Sequence, residues 1–249
     1  MGIQSIPEHE LARLREKAKE ITGSQFDYQS SYTDLLSRRL NGEPLQYIEE
    51  YVPFYSIQIN VDQRCLIPRP ETEYMIEIIK NNIDTPKKIL DVGTGTGCIA
   101  LMMKKLFPDS EVHAVDISDD ALSLAKENAE INNLEVNFYQ SDLLSNVEIL
   151  DFDLIVANLP YIPTSTLSTL AKEVIDHEPL IALDGGEDGR LYIDKLLNDL
   201  KNIDSKELVL VLEVDTSHAE SLLNSFTDWE DVKLEKDLVE RDRYIVARK

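Results

Sequence analysis

The sequence predicts an α/β protein: a mostly parallel sheet with helices on both faces, preceded by a small helical unit. Three observations predict it. From Lys87 onward, short apolar runs alternate with helical segments, the pattern of a parallel sheet covered on both sides. Residues 6–22 and about 31–40 read as helices. At 249 residues the chain exceeds one average domain, which suits one large domain and one small one.

In order, residues 6–22 place Leu11, Leu14, Ala18 and Ile21 on one helical face, between a start at Pro7-Glu8 and a stop at Gly23. A second helix is expected from about Ser31 to Leu40, with Leu35, Leu36 and Leu40 apolar, ending at Asn41-Gly42. Residues 52–67 alternate loosely and read as a β-hairpin or two short strands. PRPETE (68–73) marks a boundary, and a helix follows through Ile76, Ile79 and Lys80. The expected division is 1–50, a helical N-terminal domain; 51–74, hairpin and linker; and 75–249, the α/β domain. Within that last part, strands are expected at KKIL, EVHAVD, VNFYQ, DLIVA and ELVLVLEV, then near 232–235 and 243–248. Helices are expected at CIALMMKKL, DDALSLAKENAEIN, about 191–200 and SHAESLLNSF.

Composition narrows the function. A net charge of −22 repels phosphate backbones, and the densest basic groups are only Arg38-Arg39 and Arg241-Asp242-Arg243, so direct nucleic-acid binding is not expected. No apolar run approaches the ~20 residues that span a bilayer, and the charged, helical N-terminal segment does not read as a secretory signal. Cys65 and Cys98 show neither a disulfide framework nor metal spacing, and the four histidines are scattered. A cytoplasmic protein without a metal is expected, and a monomer.

The chemistry is expected at 151–161, DFDLIVANLPY. Here a buried strand ends in a turn that can hold an amino group. Asn158 offers a side-chain carbonyl acceptor and Leu159 a backbone one. Pro160 keeps Leu159 out of the helical region, which turns that carbonyl outward, and Tyr161 supplies a flat wall. Such a turn can also be no more than a loop; its neighbours decide. Asp91 ends the first strand of the sheet, and Gly93-Thr94-Gly95-Thr96-Gly97 follows at once. Glycines there permit a tight strand-to-helix turn and close approach of a ligand, but the spacing is not the G-x-G-x-x-G of dinucleotide sites. Asp116, at the end of the next strand, stands where a carboxylate takes ribose hydroxyls. Asp142 could accept from an adenine amino group, with Leu143 against the ring. Three turns at successive strand C-termini favour an adenosine ligand over a glycine turn with solvated aspartates.

DVGTGTG, Val115-Asp116 and NLPY resemble class I S-adenosylmethionine-dependent methyltransferases acting on a planar amine or amide. GEPLQYI (42–48), LIPRPETE (66–73), the EP, AL and GG-x-DG stretch (178–189) and RDRYIVAR near the C-terminus are similar to the release-factor glutamine methyltransferases. The resemblance runs from about residue 35 to the end. It implies a Rossmann-like domain with an antiparallel last strand, joined through a hairpin to a helical domain that recognises substrate. It also implies S-adenosyl-L-methionine as cofactor and, as substrate, the glutamine of the Gly-Gly-Gln loop in peptide chain release factors. Residues 93–97, Asp116, Asp142, Leu143 and Asn158 would hold the cofactor, and Asn158, Leu159, Pro160 and Tyr161 the reacting amide.

The chain departs from the family pattern at Leu159, usually a proline; at Glu49-Glu50, where a glycine is usual; and at EVD (213–215), commonly EIG. The proline's role is attributed to its backbone carbonyl, which leucine shares. Catalysis would rest on positioning the amide lone pair in a dry pocket, and no strong general base is visible. An adenine amino-methyltransferase would use a similar turn, but PRPETE, the acidity and the missing basic recognition domain weigh against it. A non-catalytic cofactor-binding scaffold could lose Asn158 or a loop glycine, and both are present.

Overall fold

The computed structural model describes residues 6–22, 27–147, 152–201, 203 and 207–249; the expected stop at Gly23 and the opening Asp151 of 151–161 lie outside them. Helices α1 (Glu8–Thr22), α2 (Tyr28–Leu40) and α3 (Leu45–Glu49) come first. Leu14, Ala18, Leu35, Leu45 and Ile48 form their shared core. Ile21 and Leu40, expected on the apolar faces, are exposed instead, because each lies in the last turn of its helix beyond that small core. The α2 helix starts three residues before the expected Ser31. The single-turn α3 inside GEPLQYI was too short to show a period. It ends at Glu50, whose φ of 71° lies in the left-handed region that glycine occupies without strain. The two glutamates at this departure tie α3 to α1: Glu49 pairs with Arg13, and Glu50 with the buried Lys17 at 2.9 Å.

Strands β1 (Tyr51–Phe54) and β2 (Ile57–Asn60) form a hairpin with a two-residue turn. Val52, Phe54, Ile57 and Ile59 face inward, following the strand period of two. The buried Asn128 clamps the hairpin: its Oδ1 accepts from Asn60 N at 2.7 Å, and its Nδ2 donates to the Asn60 and Thr96 carbonyls. Helix α4 (Pro70–Asn82) begins within PRPETE and not after it. Pro70 fits the first turn, where its missing N–H removes no hydrogen bond.

The large sheet comprises β3 (Lys88–Val92), β4 (Glu111–Asp116), β5 (Asn137–Gln140), β6 (Leu154–Ala157), β7 (Val209–Glu213), β8 (Asp231–Lys236) and β9 (Asp242–Arg248). Its order is β5-β4-β3-β6-β7-β9-β8, parallel from β5 to β7 and antiparallel at the β7–β9 and β8–β9 pairs. The crossovers and flanks are α5 (Cys98–Leu106), α6 (Asp119–Asn132), α7 (Lys172–His177), α8 (Leu191–Leu200) and α9 (Ala219–Leu222). Neighbouring strand residues divide between two cores. Ile89, Leu154 and Val156 pack with α4, α5 and the hairpin, while Leu90, Ile155 and Leu210 pack with α8 and α9. Chain order reverses between β3 and β6, the place where open α/β sheets bind ligands at their strand C-termini.

The basic pairs noted in the sequence are engaged internally. Arg38 pairs with Glu43, and Arg39 joins α2 to Glu10 of α1 and Glu173 of α7. Arg241 pairs with Asp237, and Arg243 donates to the Val214 carbonyl. Among the described residues, no helix is long and apolar enough to cross a membrane.

Candidate functional site

The loop after β3 is shaped by its own backbone. Gly93 N and Thr94 N both donate to the Val115 carbonyl, and Gly95 N donates to Asp116 Oδ2 at 2.8 Å. Gly93, Gly95 and Gly97 have φ of 74°, 53° and 82°, left-handed values at which a side chain is strained. A Cβ on Gly95 would meet nothing within 4 Å, so the middle of the loop borders open space. Gly97 serves packing: a Cβ there would come within 3.1 Å of Ala125 Cβ on α6. Beneath the loop, fully buried Asp91 accepts from Thr94 Oγ1 at 2.6 Å and from Ala100 N at 3.1 Å. Burial pushes its carboxyl up to about 7.

Asp116 accepts from Gly95 N and, through Oδ1, from Ser118 N. Burial raises its carboxyl and these N–H groups oppose the shift. The turn after β5 carries Asp142, paired with Lys195 at 2.6 Å, and Leu143, buried at φ 49°. A leucine held left-handed is uncommon, and here it puts an apolar side chain on the cleft wall.

One cleft joins these turns to the end of β6. It is lined by Gly93 to Thr96, Asp116, Asp142, Leu143, Asn158, Leu159 and Pro160. Of the residues expected at the site, Gly97 and Tyr161 do not line it. Leu159 reaches the cleft, yet its side chain is 3% exposed and sits where Gly93 lacks a Cβ, which would stand 2.9 Å from Leu159 Cδ2. Tyr161, expected as a wall of the pocket, turns inward instead. Its hydroxyl donates to Glu213 Oε1 at 3.0 Å, and the Arg243 guanidinium stands 5.9 Å from its ring centre.

Sequence reasoning missed Thr72 and Glu213. Asn158 Nδ2 donates to Thr72 Oγ1 at 3.0 Å, and Thr72 Oγ1 donates to Glu213 Oε2 at 2.9 Å. Glu213 is 1% exposed, and burial lifts its carboxyl up to about 7 against the lowering effect of its Thr72 and Tyr161 hydrogen bonds. The available signal was its place at the C-terminal end of β7. Also missed were the lips, Arg64 to Leu66 with Pro68, and Pro179, Ile181, Ala182 and Tyr192. They are held together by buried Glu178, which accepts from Ile67 N at 3.0 Å and from Arg69 at 2.5 Å. The GG-x-DG stretch buttresses the turn. Gly185 N donates to the Ile162 carbonyl at 2.8 Å, and a Cβ on Gly185 would stand 2.7 Å from the Pro160 carbonyl oxygen. A Cβ on Gly189 would run into the Tyr161 carbonyl. At the EVD departure, Asp215 accepts from Ser217 N and closes the turn that follows β7.

A seven-stranded sheet with an antiparallel last pair, and a cleft across its first four parallel strand ends, give the chain a class I methyltransferase fold. Residues 70–193 match the family profile "Methyltransferase small domain". The chain is 38% identical over 226 residues to the release factor glutamine methyltransferase of Koribacter versatilis, covering 90% of this chain and 81% of that protein. It is 35% identical over 237 residues to that of Thermodesulfovibrio yellowstonii, covering 92% and 84%. The chain belongs to the release factor glutamine methyltransferase family. Among solved structures, a methyltransferase from Pyrococcus furiosus shares the fold with a TM-score of 0.59 and 21% identity, covering 87% of this chain and 98% of that one.

Proposed function

We propose that this protein methylates the side-chain amide nitrogen of the glutamine in the Gly-Gly-Gln loop of peptide chain release factors, using S-adenosyl-L-methionine. The observation that carries the reading is the meeting of an amide-holding turn, 158–160, with the glycine loop and Asp116 in one cleft. The donor set suits the cofactor. Asp116 has lone pairs left for ribose hydroxyls, Ile117 and Leu143 offer apolar surface to a ring, and the space beyond Gly95 admits a ligand against the backbone. When bound, the cofactor supplies a methyl group activated on a sulfonium.

The chain's own residues do the rest by positioning. An amide nitrogen is a poor nucleophile because its lone pair is delocalised into its carbonyl. The Asn158 side-chain oxygen and the Leu159 carbonyl accept its two N–H bonds and fix the plane of the amide. The buried surroundings of Leu159 exclude water from that side. Helices α1 to α3, with their own core and the Arg39–Glu173 tie, suit a role in gripping the release factor away from its reacting loop.

The test offers radiolabelled cofactor to a purified class 1 release factor, its loop Gln→Ala variant and ribosomal RNA. Label is expected on the intact factor alone. Label on RNA, or equally on the Gln→Ala variant, overturns the reading in favour of an adenine substrate.

A further inference from the structure

Asn158 can do its proposed work only one way round. Its amide has an oxygen end and a nitrogen end of nearly equal size, and only the oxygen can accept an N–H from a substrate. Turned about, it would set its own N–H bonds against those of the incoming amide. The surroundings of Asn158 decide between the two states.

Thr72, 3% exposed, stands between Asn158 Nδ2 at 3.0 Å and Glu213 Oε2 at 2.9 Å. A hydroxyl has a single proton to donate. Above about pH 7 the Glu213 carboxyl has lost its proton and only accepts, and its other oxygen is taken by the Tyr161 hydroxyl at 3.0 Å. The Thr72 proton therefore goes to Glu213, and what Thr72 shows Asn158 is a lone pair. Only the NH₂ end of the amide can meet a lone pair. Among the described residues, no protein group donates to Asn158 Oδ1. We infer that Glu213 and Thr72 form a polarity relay that fixes the direction of the Asn158 amide, presenting its oxygen to the substrate nitrogen. This rests on the reading that Asn158 receives a substrate N–H. Thr72 and Glu213 are positioning residues, acting through Asn158. The relay also gives PRPETE a task, since its threonine lies in the first turn of α4 and meets Asn158 there.

The relay is tested with Thr72→Val, which keeps the shape and removes the hydroxyl, and Thr72→Ser, which keeps the hydroxyl. With release factor as substrate, Thr72→Val lowers kcat by about 30-fold, the scale of a misdirected hydrogen-bonding group, while cofactor affinity by calorimetry stays within about twofold. Thr72→Ser stays within about threefold of the parent, and Glu213→Gln falls with Thr72→Val. In the Asn158→Ala background, Thr72→Val adds less than about twofold, because its effect passes through a side chain already gone. Independently of any substrate, one Asn158 side-chain amide proton exchanges slowly in the parent by NMR and rapidly in Thr72→Val. Full turnover in Thr72→Val, losses that multiply in the double variant, or an unchanged exchange rate each overturn the relay. If the parent protein leaves the release factor unlabelled, the substrate reading falls, and the amide exchange still decides the relay.

Discussion

Glu213→Gln tests the buried carboxylate through its linkage to pH. The Glu213 carboxyl is raised from 4.5 to about 7, chiefly by burial; Thr72, Tyr161 and Arg243 favour its charge and Glu71 opposes it. Between those two values the folded protein holds the proton and the unfolded chain has released it, so stability falls as pH rises. Integrated from pH 5 to pH 8, this one group costs about 2.5 kcal/mol, and glutamine, which does not titrate, removes that dependence. Asp91, also raised to about 7, is present in both proteins and cancels in the comparison. For a chain of this size the difference corresponds to about 5–10 °C in Tm. Scanning calorimetry of parent and Glu213→Gln at pH 5 and pH 8 should show the variant gaining that much on its parent at the higher pH, while losing turnover. An equal Tm difference at both pH values would refute the raised Glu213 carboxyl, because a group that titrates alike in the folded and unfolded states gives no such slope.

The other substitutions separate the cofactor contacts from the turn. Asp116→Ala should weaken cofactor binding by about 1.5–3 kcal/mol in calorimetry, as for a lost charged acceptor, and should lower Tm as well because Gly95 N and Ser118 N lose their partner. Leu159→Pro keeps the backbone carbonyl and removes a buried side chain, so turnover should stay within about threefold of the parent while stability falls by about 1–3 kcal/mol. Gly185→Ala should lower turnover by about tenfold or more in the release-factor assay, because the added methyl displaces the Pro160–Tyr161 backbone and shifts of about 1 Å cost that much at a positioned site.

Much of the fold was legible because its signals are local. EVHAVD and DDALSLAKENAEIN became β4 and α6 with their expected bounds, and the helix has its Ser118 cap, which accepts from Ala121 N. The elements that escaped were short or set by distant contacts. Residues 45–49 and 172–177 form one or two turns, too few for a period to show. The start of α4 inside PRPETE follows from Pro70 at a position that tolerates it, although two prolines read equally well as a linker. In the candidate site, the glycine loop, Asp116 and the end of β6 were visible because strand-end turns of this kind leave their mark in short runs of neighbouring residues. The orientation of Tyr161 was not, because its hydroxyl answers to Glu213, 52 residues away. Thr72 and Glu213 lie 141 residues apart, and no pattern in either segment announces that they share a hydrogen bond.

The most direct test of the central claim, that the turn after β6 positions the amide, is single-turnover methylation of the release factor by Asn158→Ala, with cofactor affinity measured on the same preparation. Removal of a positioning group predicts a chemical step slowed by about 100-fold or more while the cofactor Kd changes by less than about fivefold. A chemical step that keeps the parent rate, with the loss confined to cofactor binding, would contradict it.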